Sequence, residues 1–531
     1  MHPSCPSTIE SIFSKIIGSG VLLLLLLLLH MGHIIPFAIM AIAPNFLLTS
    51  AHFAVYLLLI AATTTCCDAE QLCASGSRSF TSAFLPKVFV NDGTSGSFSP
   101  TSLRQAFFMI GAGAGAVDAP EIHDAMARCP VKDDGEFSDL GEAANALQIT
   151  SPDLNVSIAN GVFVDESSPL NQAYVDALED SFGAIATEVS YQSDATAARD
   201  LINSFVSDNT NGIIPKILTS DPDPDTVLFL VNALYFGAKW VKPFEDAHPQ
   251  IFSDPARGQY AYAQMMKETM SVPLVDGGIY SAISLPYRPS DSGYEMLIIK
   301  PGGCKVTDDV GPIRLNELIN GESGGCLDGL LADAIARTGD AALTRTSVVI
   351  PRFQIKWRAE ETLKTALKSL GLNKIFSPIE ADLSGIPEDP SAQLFVSQVV
   401  HQVDVRVNEQ GTEAAAATGL GISVTSLPIA PPAEFRADEP FIYAILHRPS
   451  STILFSGWVN MDALEIDSPI MSIEESSDGV PICSSTGPAC PGQPADEISS
   501  EGTTSGASGQ LSSSSFIVAS SVLLLMVAAF A

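Results

Sequence analysis

Val407-Asn408-Glu409-Gln410-Gly411-Thr412-Glu413-Ala414-Ala415-Ala416-Ala417-Thr418 is a strand-like lead-in that runs into a series of small side chains. It lies between two apolar, β-forming segments, Leu394 to Val407 and Phe441 to Val459, and after Glu413 no charge occurs until Glu434. Side chains this small do not obstruct packing, so the run is shaped to enter a sheet. Successive strand side chains point to opposite faces. With Thr412 inward, the inward set is Thr412, Ala414, Ala416, Thr418, Leu420 and Ile422, none of them charged. The outward set is Glu413, Ala415, Ala417, Gly419, Gly421 and Ser423, which places Glu413 on the solvated face. A buried ion would cost several kcal/mol and slow insertion. No proline appears before Pro428, so each residue keeps a backbone N–H for a ladder.

Working outward, the preceding segment alternates: Val400, Gln402, Asp404 and Arg406 interleave with His401, Val403, Val405 and Val407. The near-continuous apolar run Val227 to Phe236 has the pattern of a central strand covered on both faces. Ser99-Pro100 carries a helix-start signal for Thr101 to Gly111. Leu201, Ile202, Phe205 and Val206 recur at helical spacing before Gly212, and Glu360 to Leu372 forms a further amphipathic pattern. Helices and strands mixed in this way predict an α+β fold with a large sheet over residues 75–460.

The chain carries 60 acidic against 27 basic residues, a net charge of −33. That excludes nucleic acid and polyanions as natural partners, since like charge repels. There is no HExxH, GxxxxGK[ST] or GxSxG, and Gly111 to Ala116 has the wrong glycine spacing for a dinucleotide turn. The eight histidines form no metal-ligand spacing, and no cofactor is expected. His401, in an apolar strand, is expected to be a hydrogen-bonded core histidine. Nothing marks the chain as an enzyme.

The opening stretch, with what surrounds it, resembles the serpin family of protease inhibitors. Glu409, Gly411, Thr412, Glu413, Ala414, Ala415, Ala416, Ala417 and Thr418 match the hinge of that family's exposed reactive-centre loop. Supporting blocks are Ser97 to Leu103 (entry to helix B) and Ile202 to Val206 with Thr210-Asn211-Gly212 (helix F). Val231 to Phe236 with Lys239-Trp240 looks like strand 3 of sheet A. Ala381 to Ile386, Val396 to His401 and Phe435 to Phe441 follow in the family's order. The resemblance implies a large mixed sheet A, two further sheets and about nine helices. It implies an inhibitor that traps a serine protease as an acyl-enzyme by inserting the cleaved loop into sheet A. Counting along the usual loop length places the reactive bond at Thr425-Ser426, with Val424 and Leu427 as neighbours. No Lys or Arg lies between Glu413 and Glu434, which favours elastase-, chymotrypsin- or subtilisin-like targets over trypsin-like ones. Ser99, Ser102, Asn232 and His401 would form the shutter under sheet A, and Trp240 would stand at the breach. A non-inhibitory carrier, chaperone or storage serpin, and a cysteine-protease inhibitor, are the alternatives. Three departures stand out: Pro86 interrupts the expected helix A, the helix D segment (Cys129 to Gly141) is short and acidic, and Phe205 replaces a commoner Trp. The acidic segment argues against a heparin-type site.

The two ends differ from the middle. From Ile16 to Cys67 no charged residue occurs, and Val21–Leu29 and Phe53–Ala62 are apolar cores, so residues 1–69 are expected to be a signal region. On that reading its true start is Met31 or Met40, with cleavage near Ala69 or Ala74; a two-part membrane anchor is the alternative. Residues 461–515 have the composition of a solvated, disordered linker, and 516–531 form an apolar tail. Ser505-Gly506-Ala507, a polar spacer and that tail fit a glycolipid-anchor signal with attachment at Ser505. A secreted, extracellular monomer is therefore expected, with a glycolipid tether to a cell surface where that signal is used. Asn155-Val156-Ser157 is the N-glycosylation sequon. Cys304/Cys326 and Cys483/Cys490 are plausible local disulfide pairs, with connectivity open.

Overall fold

The structure is a computed structural model that describes residues 76–89, 92–116, 118–126, 147–276, 278–302, 314–320, 327–412, 431–472, 474–475 and 481–482. Of the described residues, those up to Ile470 lie in one compact unit and those from Met471 to Ile482 in a second.

Along the first unit, α1 (Gly76–Val88) leads to β1 (Gly96–Phe98), α2 (Pro100–Ala112) and α3 (Ala119–Met126). Then come β2 (Ile149–Thr150), β3 (Leu154–Asp165), α4 (Gln172–Ala177), β4 (Ile185–Val189) and α5 (Ala195–Asn209). A run of strands follows: β5 (Leu228–Lys239), β6 (His248–Asp254), β7 (Gln259–Asp276), β8 (Tyr280–Pro286) and β9 (Tyr294–Pro301). After α6 (Leu315–Asn320) and α7 (Leu327–Asp340) come β10 (Leu343–Pro351), β11 (Phe353–Ala359) and α8 (Glu361–Ser369). The chain closes with β12 (Gln398–Asn408), β13 (Gly411–Thr412), β14 (Ala433–Arg436), β15 (Phe441–His447) and β16 (Thr452–Val459).

The first sheet is mixed, in the order β11-β12-β13-β5-β3-β2, with β4 also on β3. Helix α5 lies over its outer face, where Ile202 and Val206 pack with Phe163, Phe229 and Val231. Phe205 meets Phe163 edge-on at 5.7 Å, so a smaller ring fills the place where a Trp is commoner. The inner face rests on α2, whose start is fixed by sequence: Pro100 occupies the first turn, and the Ser99 side chain accepts the Ser102 N–H as an N-cap.

The second sheet runs β1-β16-β15-β9-β8-β7-β10-β14, with β6 also on β7. Two further sheets were expected; the described residues join them into one. Strand β7 is 18 residues long, and its first part pairs with β6 and β10 while its last residues pair with β8. One continuous strand leaves no break at which the sheets could separate. Eight α-helices occur among the described residues, against the nine or so expected.

Two further expectations are corrected. Pro86 does not interrupt α1, because it sits two residues from the helix end and forfeits one bond there. Phe80, Phe84, Leu85 and Val88 are buried, which holds the helix through that loss. The stretch beginning at Met461, expected to be solvated linker, packs on the domain as far as Ser468. Leu464 bridges to Phe353 and Ile466 to Ala263, and Asp467 N–H reaches Tyr262 O at 2.9 Å. In the second unit, Glu474–Glu475 pairs antiparallel with Pro481–Ile482.

Candidate functional site

The first sheet has a slot. Strands β5 and β12 pair in parallel only from Gln398↔Phe229 to Gln402↔Ala233. Above that they diverge, and β13 occupies the opening. Thr412 pairs with Val407 on one side and Ala238 on the other, and Gly411 with Asn408 and Lys239. A Cβ on Gly411 would stand 1.9 Å from the Ala238 carbonyl oxygen, so no larger residue fits there. Thr412 is fully buried, and its Oγ1 lies 2.7 Å from the Tyr287 hydroxyl. Thr412, the first position of the inward set assigned from the sequence, is thus a buried residue of the sheet.

Trp240 adjoins this opening. Its ring stacks on Tyr287 at 4.4 Å, its Nε1–H donates to Asn408 O at 3.0 Å, and its backbone N–H donates to Gln410 O at 2.9 Å. Glu409 anchors the turn that follows β12. Its carbonyl accepts Phe244 N–H at 2.9 Å, and its Oε1 accepts Ala247 N–H at 3.0 Å and Arg352 Nε–H at 2.7 Å. That carboxylate bond is the first cause of the raised Arg352 pKa, so the guanidinium is firmly charged.

Lower in the sheet, Ser99, Ser102, Asn232 and His401 come together, all fully buried. His401 Nε2 accepts the Ser99 backbone N–H at 3.0 Å, which leaves the ring proton on Nδ1 to reach Asn232 Oδ1 at 2.5 Å. Asn232 Nδ2 donates to Asn160 Oδ1 and to the Ser102 carbonyl, the latter at 2.7 Å. Asn160 Nδ2 donates to Gln105 Oε1 at 3.0 Å, and Gln105 Nε2 to Phe182 O at 3.2 Å. Every donor points the same way along this chain, which polarises successive bonds in the same sense. Desolvation pushes the His401 pKa down to about 3, so the ring is neutral and works as a structural relay.

Asn160 and Tyr287 were missed from the sequence. Asn160 had a signal, a lone amide in the apolar run Ile158 to Val164; Tyr287 had none, since a buried tyrosine is ordinary in a core. Asn155 is the second residue of β3, opposite Gly237 and Thr150, and is half-buried. Glu413 to Thr418, Val424 to Leu427 and Ser505 lie outside the described residues, as do the acidic Cys129–Gly141 segment, residues 1–69 and the 516–531 tail. Among the described residues no group of three or more His, Cys, Asp or Glu is placed to hold a metal ion.

Fold and site define a mixed-sheet scaffold in which Gly411 and Thr412 form a short strand between β5 and β12. The family model described as serpin (serine protease inhibitor) matches residues 76–461. Iripin-5 of Ixodes ricinus is 32% identical over 370 residues, 68% of this chain and 88% of the relative. The leukocyte elastase inhibitor of Bos taurus is 30% identical over 404 residues, 73% of this chain and 98% of the relative. The crystal structure of a thermophilic serpin, tengpin, in its native state superposes with a TM-score of 0.62 at 23% identity, over 73% of this chain and 93% of that one. The chain belongs to the serpin family. Serpins are protease inhibitors and generally not catalysts.

Proposed function

We propose that this chain is a secreted suicide-substrate inhibitor of a serine protease with an apolar or small primary specificity pocket. The protease serine oxygen attacks the carbonyl carbon of Thr425, the Thr425–Ser426 C–N bond breaks, and the new amine takes the proton. The remaining ester is the acyl-enzyme. The freed loop then continues the strand that Gly411–Thr412 begin, between β5 and β12, and carries the protease with it before water can hydrolyse the ester. The observation that carries this reading is the burial of Thr412 in a slot whose two walls are unpaired with each other above Gln402 and Ala233. The uncharged inward set supports continuation. The bovine relative's name, leukocyte elastase inhibitor, agrees with the target class argued from the absence of Lys and Arg in the loop. The same reading takes the protein to the extracellular space, with a glycolipid tether at Ser505 as a further proposal.

The test is incubation with pancreatic elastase, chymotrypsin, subtilisin and trypsin. An SDS-stable complex with one of the first three, with the released fragment beginning at Ser426 or within two residues of it, is expected. Clean turnover of the loop by the first three without a complex would sink the inhibitory reading.

A further inference from the structure

We infer that the segment Leu464–Ser468, which follows the end of the family match at residue 461, is a strap that holds the hinge of the loop through Arg352. Strand β10 covers β7 from Met265 to Pro273, which leaves the same edge of β7 open at Tyr262–Gln264. The strap closes that edge. Gln264 is its anchor: its N–H donates to Glu465 O at 2.9 Å, its carbonyl accepts Arg352 N–H at 2.8 Å, and its side chain donates to Asp467. Tyr262 N–H adds a bond to Ser468 Oγ at 3.1 Å. Thus the strap and the backbone of Arg352 share one residue.

The Arg352 side chain completes the connection. Its Nη1 lies 3.4 Å from Glu465 Oε2 on the strap, and its Nη2 lies 2.5 Å from Glu409 Oε1 at the root of the hinge. Glu409 in turn holds Phe244 and Ala247 by the bonds given above. The Glu465 contact alone is weak because that carboxylate is largely exposed. The shared Gln264 backbone makes the coupling stronger than the ion pair would be. Glu465 and Gln264 are therefore positioning residues for the hinge, acting through Arg352. The consequence for inhibition rests on the proposed function; the coupling does not.

Hydrogen exchange on the full-length protein tests the coupling without any protease. Two variants detach the strap differently. Glu465→Lys sets a cation against the Arg352 guanidinium. Asp467→Pro removes the N–H that reaches Tyr262 O and the carboxylate that takes the Gln264 side chain. Peptides covering Trp240, Phe244 and Ala247 are expected to exchange about tenfold faster in both, as lost bonds at the hinge root open it locally. Peptides covering Val162 and Leu230, in the body of the sheet, are expected to keep wild-type rates. Wild-type exchange at Trp240 to Ala247 in both variants would overturn the inference, the more plainly if Gln264 alone loses protection. Failure of the wild-type protein to trap any protease would instead overturn the proposed function and leave this coupling standing.

Discussion

His401 joins the two strands that must part for a loop to enter, and burial fixes its charge state. Its pKa falls from 6.5 to about 3 through desolvation, so the unfolded chain binds a proton that the folded chain refuses. Stability from this group is fully present above about pH 6.5 and is lost as the pH falls toward 3. At pH 5 the deficit is ~2 kcal/mol, from 1.36 kcal/mol per pKa unit. The wild-type denaturation midpoint is expected to drop between pH 7 and pH 5, and His401→Gln to lose that part of the slope; an equal slope in both would remove His401 from the account. A second residue-scale prediction concerns Tyr287. Tyr287→Phe keeps the ring on Trp240 but leaves the buried Thr412 hydroxyl without its partner. The cost is ~1–3 kcal/mol, the usual range for an orphaned buried polar group. The double variant with Thr412→Val is expected to recover most of it, and a purely additive double variant would argue that the hydroxyls are uncoupled.

At the scale of the element, β13 is two residues long and depends on uncharged side chains to stay in place. Thr412→Arg puts a cation where no counter-charge faces it, at a cost of ~3–5 kcal/mol for an unpaired buried charge. That exceeds what two residues of ladder can return. Two outcomes follow: the protease complex gives way to loop turnover, and β13 leaves the slot even with no protease present. Loss of Thr412 uncovers Tyr287 and the Trp240 ring stacked on it, so tryptophan emission shifts to the red. Unchanged emission together with unchanged complex yield would show the register to be wrong. The sequence assigned that register from the strict two-fold alternation of a strand and the charge of Glu413, and of its members the structure describes Thr412, which is buried. The helix start at Ser99-Pro100 and the central strand near Val227–Phe236 were legible for similar local reasons. Less legible were features set by distant partners. Arg352 and Glu465 carry no pattern of their own and meet through the backbone of Gln264. The fusion of two expected sheets depends on β7 running on without a break, and solvent-like composition hid the packing of Leu464 against Phe353.

For the molecule as a whole, the proposed function requires that the uncut protein is not in its lowest state. Opening the sheet for a new strand costs the parallel pairing of five residues of β12 with β5 and the His401–Asn232 bond that spans them. Full insertion returns an antiparallel neighbour on both sides of a new strand, and antiparallel pairs are somewhat the more stable. It also buries Leu420 and Ile422, against the entropy of ordering the loop. Cutting the chain removes the geometric tie that prevents the loop from folding back, so the balance is released only after cleavage. Nicking the loop near Thr425 with a protease that escapes trapping is therefore expected to raise Tm by about 10 °C or more, since each kcal/mol gained is worth roughly 2–4 °C in a large domain. Ala416→Asp places a charge on the inward face and is expected to abolish the rise while leaving the uncut Tm unchanged. The sign of the change decides the matter, because a break in a surface loop that stays outside the sheet frees two chain ends and can only leave Tm where it was or lower it.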